Sequence, residues 1–579
     1  MNTAYRAVAI DYDGTLTGAA DRPSDAALVA VEAARCKGLR IILVTGRILE
    51  ELRCVFPSVD RWFDAIVAEN GAVLSVEGAT RMLAAPVEFE LDEALVELGV
   101  PFRRGQVLLA TQAAHESAVR DAIRQLGLEC QLTRNRSELM VLPPGISKGF
   151  GVSEALADLG LSHHSAVAIG DGENDHALLR ACELGVAVAN AVPSLKRHAD
   201  VVLRNAGGAG VAEFLAGPLL RGEQTADSKR WRVELGRDLD GERVTLPGAR
   251  VNVLFTGRSK SGKSYFAGML AERLIGLGYS LCIIDPHGDY TALGALRGVL
   301  NVGGEGGLPL TELVGRLVEH RFGSVVVDLS GFEGAERAEY LKKLLWQIDA
   351  EHRATGLPHW ILWDEAHAAA GERDALIDLL QSPLKGCCLV TYRPHELPAA
   401  ARAAIDFVVA LPGGKALDPG EGQDPLDALS ALDGVDLAAS GAPEGEAMIY
   451  QPGDPRSVRR FRISARRSPH VRHWRKYRSI RLPSSLHFLF RDEHGALRGA
   501  SANIEELHHT LRGCDAEVLR NHVPRHDLSR WVDQAIQDAE LSRDLRTLED
   551  EFTASSRDER QLVRFREAAV RAVERRYID

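Results

Sequence analysis

The chain has 579 residues, 45% of them hydrophobic and 26% charged, with a formal net charge of −12. That length exceeds what one hydrophobic core organises and predicts roughly two to four domains. The composition excludes collagen-like, low-complexity and mostly disordered chains. No run of 18 apolar residues is present, so neither a membrane-spanning helix nor a membrane partner is expected. The N-terminus lacks the basic region and cleavage site of a secretory signal. The eight cysteines are scattered with no C-x-x-C pair, which predicts reduced thiols, a cytoplasmic location and no zinc site.

In chain order, apolar runs at 6–12, 40–45 and 165–170 alternate with helical patterns at 24–38 and 173–183. This alternation predicts a parallel sheet with crossover helices over about the first 215 residues. Residues 76–145 break the rhythm and predict a small inserted α/β unit. Asp11-Tyr12-Asp13-Gly14-Thr15 falls at the end of the first strand, where ligands collect in open α/β sheets. Of two carboxylates one residue apart, one can attack phosphorus while the other moves protons. Thr45, Gly46 and Arg47 end the next strand and offer a hydroxyl and N–H groups to phosphate oxygens. Lys148 supplies a fixed positive charge, and Gly170-Asp171-Gly172-Glu173-Asn174-Asp175 supplies hard oxygen ligands for Mg²⁺.

In this order, with Glu69-Asn70-Gly71-Ala72 and Val188-Ala189-Asn190-Ala191, these strings resemble the haloacid dehalogenase superfamily of phosphohydrolases over about residues 4–215. The nearer likeness is to its Cof-type branch of phosphoglycolate and sugar-phosphate phosphatases. The resemblance implies a Rossmann-like core with the inserted unit as a cap, and a small phosphorylated metabolite as substrate. It implies Asp11 as nucleophile forming an aspartyl-phosphate, and Asp13 as general acid/base. Thr45 and Lys148 would hold the phosphoryl group. Asp171 would bind Mg²⁺ with Asp11 and the Asp13 carbonyl, supported by Asn174 and Asp175. Arg103, Arg104, Arg134 and Arg136 of the cap are candidates for gripping a second anionic group.

After a polar linker within 220–250, a second strand–helix series begins at 251–256 and continues at 280–285, 324–328, 359–364 and 387–391. Residues 257–264, Gly-Arg-Ser-Lys-Ser-Gly-Lys-Ser, follow its first strand and fit the phosphate-binding loop G-x-x-x-x-G-K-[ST]. Gly257, Ser261 and Gly262 shape a loop whose N–H groups cradle ATP phosphates; Lys263 reaches the β/γ-phosphates and Ser264 the Mg²⁺. Asp364 and Glu365 end a later apolar strand, Asp364 to hold Mg²⁺ and Glu365 to polarise the attacking water. With Asp285-Pro286-His287-Gly288-Asp289-Tyr290, these strings resemble the HerA/FtsK-like branch of P-loop ATPases over about 233–465. That resemblance implies a RecA/HerA-like fold and a homo-oligomer, a ring among the options. Where such proteins often carry a γ-phosphate-sensing glutamine, this chain has Thr391-Tyr392-Arg393-Pro394, and Arg393 is the candidate charge sensor or arginine finger. The Gly-, Pro- and Asp-rich stretch 412–446 is expected to be a surface excursion.

Residues 456–481 hold 11 basic and no acidic residues, with Phe461, Trp474 and Tyr477 among them. Such a segment suits nucleic acid; it equally suits a connector docked on the acidic stretch 418–446. Beyond 485 a small α+β module of unknown function is expected, ending in a charged helix over about 555–577. Its His522, His526 and Asp527 read as a helix-start turn rather than a metal site. The boundaries therefore fall at 1–220 for the phosphatase, 221–467 for the P-loop ATPase and 468–579 for the connector and module. The predicted protein is bifunctional, an Mg²⁺-dependent phosphomonoesterase joined to an ATPase. Two alternatives stand beside it: a nucleic-acid-translocating ATPase whose phosphatase trims nucleic-acid ends, and a sensor in which ATP drives assembly.

Overall fold

The computed structural model describes residues 3–578 except 19–20, 259–260, 305–306, 321–322, 333, 370–372, 383, 414–423, 436, 438–444, 469–481, 483–485, 537 and 556–557. Four sheets are present among the described residues, within a mixed α/β architecture. The first contains β1 (Ala7–Asp11), β2 (Arg40–Val44), β3 (Ala65–Ala68), β4 (Val73–Val76), β5 (Ala79–Met82), β10 (Ala166–Gly170), β11 (Leu184–Ala187) and β12 (Val201–Val202). Their order is β12-β11-β10-β1-β2-β3-β4-β5, parallel from β12 to β3 and antiparallel beyond. β1 and β10 are buried along their whole length because helices cover both faces, which is why they read as unbroken apolar runs. The helix Asp25–Cys36 begins where Ser24 accepts a bond from the Ala27 N–H.

The inserted unit forms a separate antiparallel sheet from β6 (Phe102–Arg104), β7 (Leu109–Gln112), β8 (Gln131–Asn135) and β9 (Glu138–Leu142), ordered β6-β7-β9-β8. The helices Glu90–Glu97 and Glu116–Leu126 pack on it around Leu91, Leu95, Val119 and Val141. β4 and β5 remain with the first sheet, so the independent cap sheet starts after them.

The large sheet contains β13 (Arg232–Asp238), β14 (Arg243–Pro247), β15 (Val253–Gly257), β16 (Leu281–Asp285), β17 (Val299–Gly303), β18 (Ser324–Asp328), β19 (Trp360–Trp363), β20 (Cys387–Thr391), β21 (Phe407–Leu411), β22 (Glu446–Gln451) and β23 (Asp454–Ile463). Its order is β14-β13-β23-β22-β21-β15-β20-β19-β16-β18-β17. β21 through β17 are parallel, and the β22, β23, β13, β14 wing is antiparallel. Two apolar layers cover its faces, one around Leu344, Ile348 and Trp363, the other around Phe255, Phe266 and Trp360. Within the expected excursion, Pro425–Asp433 is a helix whose Leu426 and Leu429 are buried in this core. The last unit pairs β24 (Phe488–Arg491) with β25 (Leu497–Ser501) against helices including Ile504–Gly513, Ala539–Ala554 and Glu559–Val573.

The first and third sheets meet at the N-terminal ends of their strands. Before β11, Glu183 receives His164 Nδ1 at 2.6 Å and accepts the Tyr279 hydroxyl bond at 2.9 Å. The His164 and Tyr279 rings stack at 3.6 Å, and His164 Nε2 meets the Leu277 carbonyl at 3.1 Å. His359, just before β19, accepts the Ser280 N–H at Nδ1 and bonds Ser162 Oγ through Nε2 at 2.8 Å. Burial, then the neighbouring His164, holds His359 well below the usual imidazole range. Arg250 lies 3.4 Å over the Tyr5 ring, and Arg6 donates to the Arg353 carbonyl at 2.6 Å. Among the described residues no helix is long and apolar enough to cross a membrane.

Candidate active sites

The C-terminal ends of β1, β2 and β10 bring the first motif set together. Lys148 opens the helix Lys148–Asp158, after the Ser147 cap, and its ammonium is fully buried. Its Nζ bridges Asp11 Oδ1 and Asp175 Oδ1, both at 2.6 Å. Asp175 is held in turn, its Oδ2 accepting the Asp171 and Gly172 N–H groups at 2.9 and 2.8 Å. Asp171 accepts from Thr15 Oγ1 at 3.1 Å and from Arg136 at 2.7 Å.

The electrostatics follow from this crowding. Burial, then the charge of Asp175, push the Asp11 carboxyl well above the usual carboxylate range, against the opposing pull of Lys148. Burial and Asp175 likewise raise Asp171, opposed first by Arg136. Burial works against the Lys148 ammonium, but Asp11 and Asp175 overcome it and hold Lys148 above the ordinary lysine range.

Asp11, Asp171 and Asp175 present carboxylate oxygens within 4.8 Å of one another, a set that suits a divalent cation. Two further observations fit a hard cation here. Asn174 Oδ1 is buried beside them with no hydrogen-bond partner. Gly14, at φ +82°, leaves a cradle in which a Cβ would sit 2.5 Å from Asp171 Oδ2. The guanidinium of Arg136 now offers the nearest positive charge to Asp171.

Thr45 is buried at the end of β2, its hydroxyl accepting the Arg47 N–H at 3.1 Å. Asp13 stands at the mouth of the site, gripped by Arg47 Nε at 3.0 Å and Nη2 at 2.6 Å. Asp13 and Arg47 line a cavity of about 370 Å³ with Gly46, Arg103, Arg136 and Met140. Of the four cap arginines, Arg103 and Arg136 line this cavity. Arg104 turns away to Asp92 and lies over the Phe89 ring, and Arg134 pairs with Glu116. Three supporting residues were not singled out for a role from the sequence. Asn190 bonds the Gly14 carbonyl at 2.8 Å, and Asn70 accepts from Asn174 at 3.1 Å. Glu69, fully buried and left-handed at φ 52°, accepts the N–H groups of Gln106, Val107 and Leu108 at 2.8, 2.8 and 3.0 Å. Glu69 and Asn70 lie in the 69–72 string, and left-handed φ values at two adjacent non-glycine residues are the structural mark of a constrained turn.

The second motif set gathers at the C-terminal ends of β15 and β19. Gly262 caps the helix Lys263–Gly276 at φ 90°, and Lys263 Nζ donates to the carbonyls of Gly257 and Arg258 at 3.1 and 2.9 Å. Ser264 Oγ donates to Asp364 Oδ2 at 3.1 Å, which brings both expected metal-side groups together. Ser261 Oγ is buried without a hydrogen-bond partner. Glu365 sits at φ 52° with a carboxylate oxygen 3.3 Å from His367 Nδ1. Burial, then Arg393, lower His367 to about 4, and its Nδ1 lies 3.0 Å from Thr391 Oγ1. Arg393 pairs with Glu396 at 3.1 Å and lies 5.0 Å over the Tyr392 ring.

The basic segment is described to Ser468; Trp474 and Tyr477 lie outside the described residues. Within the described part, Arg459 pairs with Asp238 and Arg460 with Glu446, while Arg466 is buried. In the last unit His522 Nδ1 lies 2.8 Å from Asp527, the first residue of a short helix, and His522 Nε2 accepts the Arg491 N–H.

The haloacid dehalogenase-like hydrolase family matches residues 8–112 and 105–215, and the central domain of helicase HerA matches 256–343. The phosphoglycolate phosphatase of Methanothermobacter thermautotrophicus is 34% identical over 218 residues, 36% of this chain and 96% of that protein. Phosphoglycolate phosphatase 2 of Saccharolobus solfataricus is 31% identical over 217 residues, 36% of this chain and 90% of that protein. Among solved structures, a Thermoplasma acidophilum protein aligns with TM-score 0.33 at 19% identity, covering 36% of this chain and 96% of its own. Through its first 215 residues, the chain belongs to the haloacid dehalogenase-like hydrolases.

Proposed function

We propose that residues 8–215 form an Mg²⁺-dependent phosphomonoesterase for a small phosphorylated metabolite, and that residues 233–465 form a separate ATPase. The observation that carries the first reading is the Lys148 ammonium bridging Asp11 and Asp175 beside Asp171. The Asp11 carboxylate attacks the phosphorus, the bond from phosphorus to the alcohol oxygen breaks, and Asp13 gives that oxygen its proton. Water then attacks the aspartyl-phosphate, Asp13 takes its proton, and inorganic phosphate leaves with the Asp11 carboxylate restored. Arg47 keeps Asp13 aimed at the cavity in both steps. Thr45 and Lys148 hold the phosphoryl oxygens. Asp11, the Asp13 carbonyl and Asp171, supported by Asn174 and Asp175, would hold Mg²⁺, whose charge offsets that of carboxylates and phosphate.

The cavity of about 370 Å³ suits a compact phosphomonoester; Arg103 and Arg136 in its wall are paired with Glu51, Glu138 and Asp171, and a second anionic group on the substrate would replace one of these carboxylates. Phosphoglycolate, named for the relatives, has that form. A phosphate-release screen over phosphoglycolate, sugar phosphates, nucleotides and end-phosphorylated oligonucleotides tests this, with Asp11→Asn expected to abolish release. Full turnover by Asp11→Asn would sink the nucleophile assignment, and a preference for oligonucleotide ends would sink the substrate class.

For the second site, Ser264 bonded to Asp364 beside the Lys263 loop supports Mg²⁺·ATP binding, with Glu365 polarising the attacking water. Lys263→Ala is expected to lose ATP turnover while phosphate-ester hydrolysis is unchanged. A nucleic-acid motor is less well supported, because Arg459 and Arg460 of the basic segment are paired within the chain. ATP turnover raised by added DNA at low salt would restore the nucleic-acid reading.

A further inference from the structure

The string Asp285-Pro286-His287-Gly288-Asp289-Tyr290 begins at the last residue of β16, and neither proposed reaction gives it a task. Its physical organisation is specific. The buried Asp285 carboxylate accepts four consecutive N–H groups: Oδ1 from His287, Gly288 and Asp289 at 3.1, 2.8 and 3.1 Å, and Oδ2 from Tyr290 at 2.9 Å. Pro286 has no N–H to place, and Gly288 takes φ +77°. A carboxylate gathering four donors winds the chain into a tight turn. The turn drives the Tyr290 ring into the core, where it is fully buried. Its hydroxyl then emerges against one group, donating to Asp364 Oδ2 at 2.9 Å.

We propose that Tyr290 is a positioning residue for the ATPase, its hydroxyl holding the Asp364 carboxylate in the orientation that serves the metal–nucleotide complex. The proposal rests on the reading of residues 257–365 as an ATP site. Phenylalanine would fill the same space in the core, so packing does not account for the hydroxyl. Asp364 is itself buried, and its Oδ1 already accepts the Glu365 N–H at 2.8 Å. Oδ2 is shared by two donors on opposite elements, Ser264 from the phosphate-loop helix and Tyr290 from the β16 turn. Ser264 can give an oxygen lone pair to a metal and still donate its O–H to Asp364, so the two donors to Oδ2 act together. Tyr290 is the donor to Oδ2 that comes from outside the phosphate loop, and it holds Asp364 whether or not Ser264 moves. Residues that orient a metal-binding group in this way typically change metal affinity or activity by 10- to 100-fold.

Tyr290→Phe in the full chain is the test, with ATP turnover measured against Mg²⁺ concentration. The expected result is a melting temperature and phosphatase rate close to those of the parent, turnover lower by about 10- to 100-fold, and a higher half-saturating Mg²⁺. A second readout avoids turnover: the thermal stabilisation given by Mg²⁺ with a non-hydrolysable ATP analogue. Tyr290→Phe should reduce it in the parent chain and leave it unchanged on an Asp364→Asn background. Parent-like turnover and Mg²⁺ dependence in Tyr290→Phe would overturn the role, as would an equal loss on both backgrounds. A parent chain that neither hydrolyses ATP nor is stabilised by Mg²⁺ with the analogue would overturn the ATP-site reading, and this role with it.

Discussion

Lys148 shows how one side chain resolves an electrostatic problem that its neighbours create. Asp11, Asp171 and Asp175 lie within 4.8 Å and are buried, so their charges repel in a poorly screening interior. Lys148 joins two of them at 2.6 Å each. Replacing it with methionine keeps much of the volume and removes the charge. Lys148→Met is therefore expected to abolish phosphate-ester hydrolysis. It should also destabilise the metal-free protein by about 3–5 kcal/mol, the usual cost of breaking a buried pair. Mg²⁺ should recover part of that loss, because it supplies positive charge at the same place. Denaturant unfolding with and without Mg²⁺ measures both effects, and equal stability of variant and parent without Mg²⁺ would contradict the argument. Most residues of this site were legible in the sequence because they stand at the ends of apolar strands; Lys148, which opens a helix, was read from its Gly-Ile-Ser-Lys-Gly setting. Arg47 and Asn190 were visible within quoted strings, but their tasks were not. Arg47 turns on Asp13 across 34 residues and Asn190 on Gly14 across 176, and no local pattern carries such pairings.

Individual elements show the same division between periodicity and long-range contact. The strands 6–12, 40–45, 165–170, 251–256, 280–285, 324–328, 359–364 and 387–391 were readable as continuous apolar runs because both faces of their sheets are covered. The cap's attachment was not readable in this way. Glu69 sits at the end of β3, yet its carboxylate reaches the Gln106–Leu108 segment that leads into β7. It fixes the cap to the core by holding three N–H groups at once. Glu69→Ala strips all three of their acceptor and should cost about 3 kcal/mol, since an unsatisfied buried donor costs roughly 1–3 kcal/mol and water can enter. The expected signature is faster proteolysis near residues 105–108 and a raised KM for the phosphate ester, with ATP turnover unchanged. Parent-like proteolysis would show that the cap is held elsewhere.

At the scale of the whole molecule, the two sheets stand back to back. The contacts between them involve Ser162, His164 and Glu183 on one side and Leu277, Tyr279 and His359 on the other, all just before strands begin. Both motif sets lie at the opposite, C-terminal strand ends. Each intervening strand of about five residues spans roughly 15 Å, so each site stands about one strand length from the junction. Both sites open away from the junction ends of their sheets, and the two activities should add without channelling. Mechanical coupling is a separate matter, because the contact itself is buried and polar. Glu183 takes the His164 ring and the Tyr279 hydroxyl together, so removing it leaves both without their acceptor. Glu183→Ala should weaken this junction by about 3 kcal/mol. The parent chain is expected to melt its first and third sheets in one calorimetric transition, whereas Glu183→Ala should separate them into two. Phosphate-ester hydrolysis at low temperature should be unchanged, because Glu183 lies at the far end of the sheet from Asp11. A single unsplit transition in the variant would mean that the junction is held by its other contacts, Arg250 on Tyr5 and Arg6 on the Arg353 carbonyl.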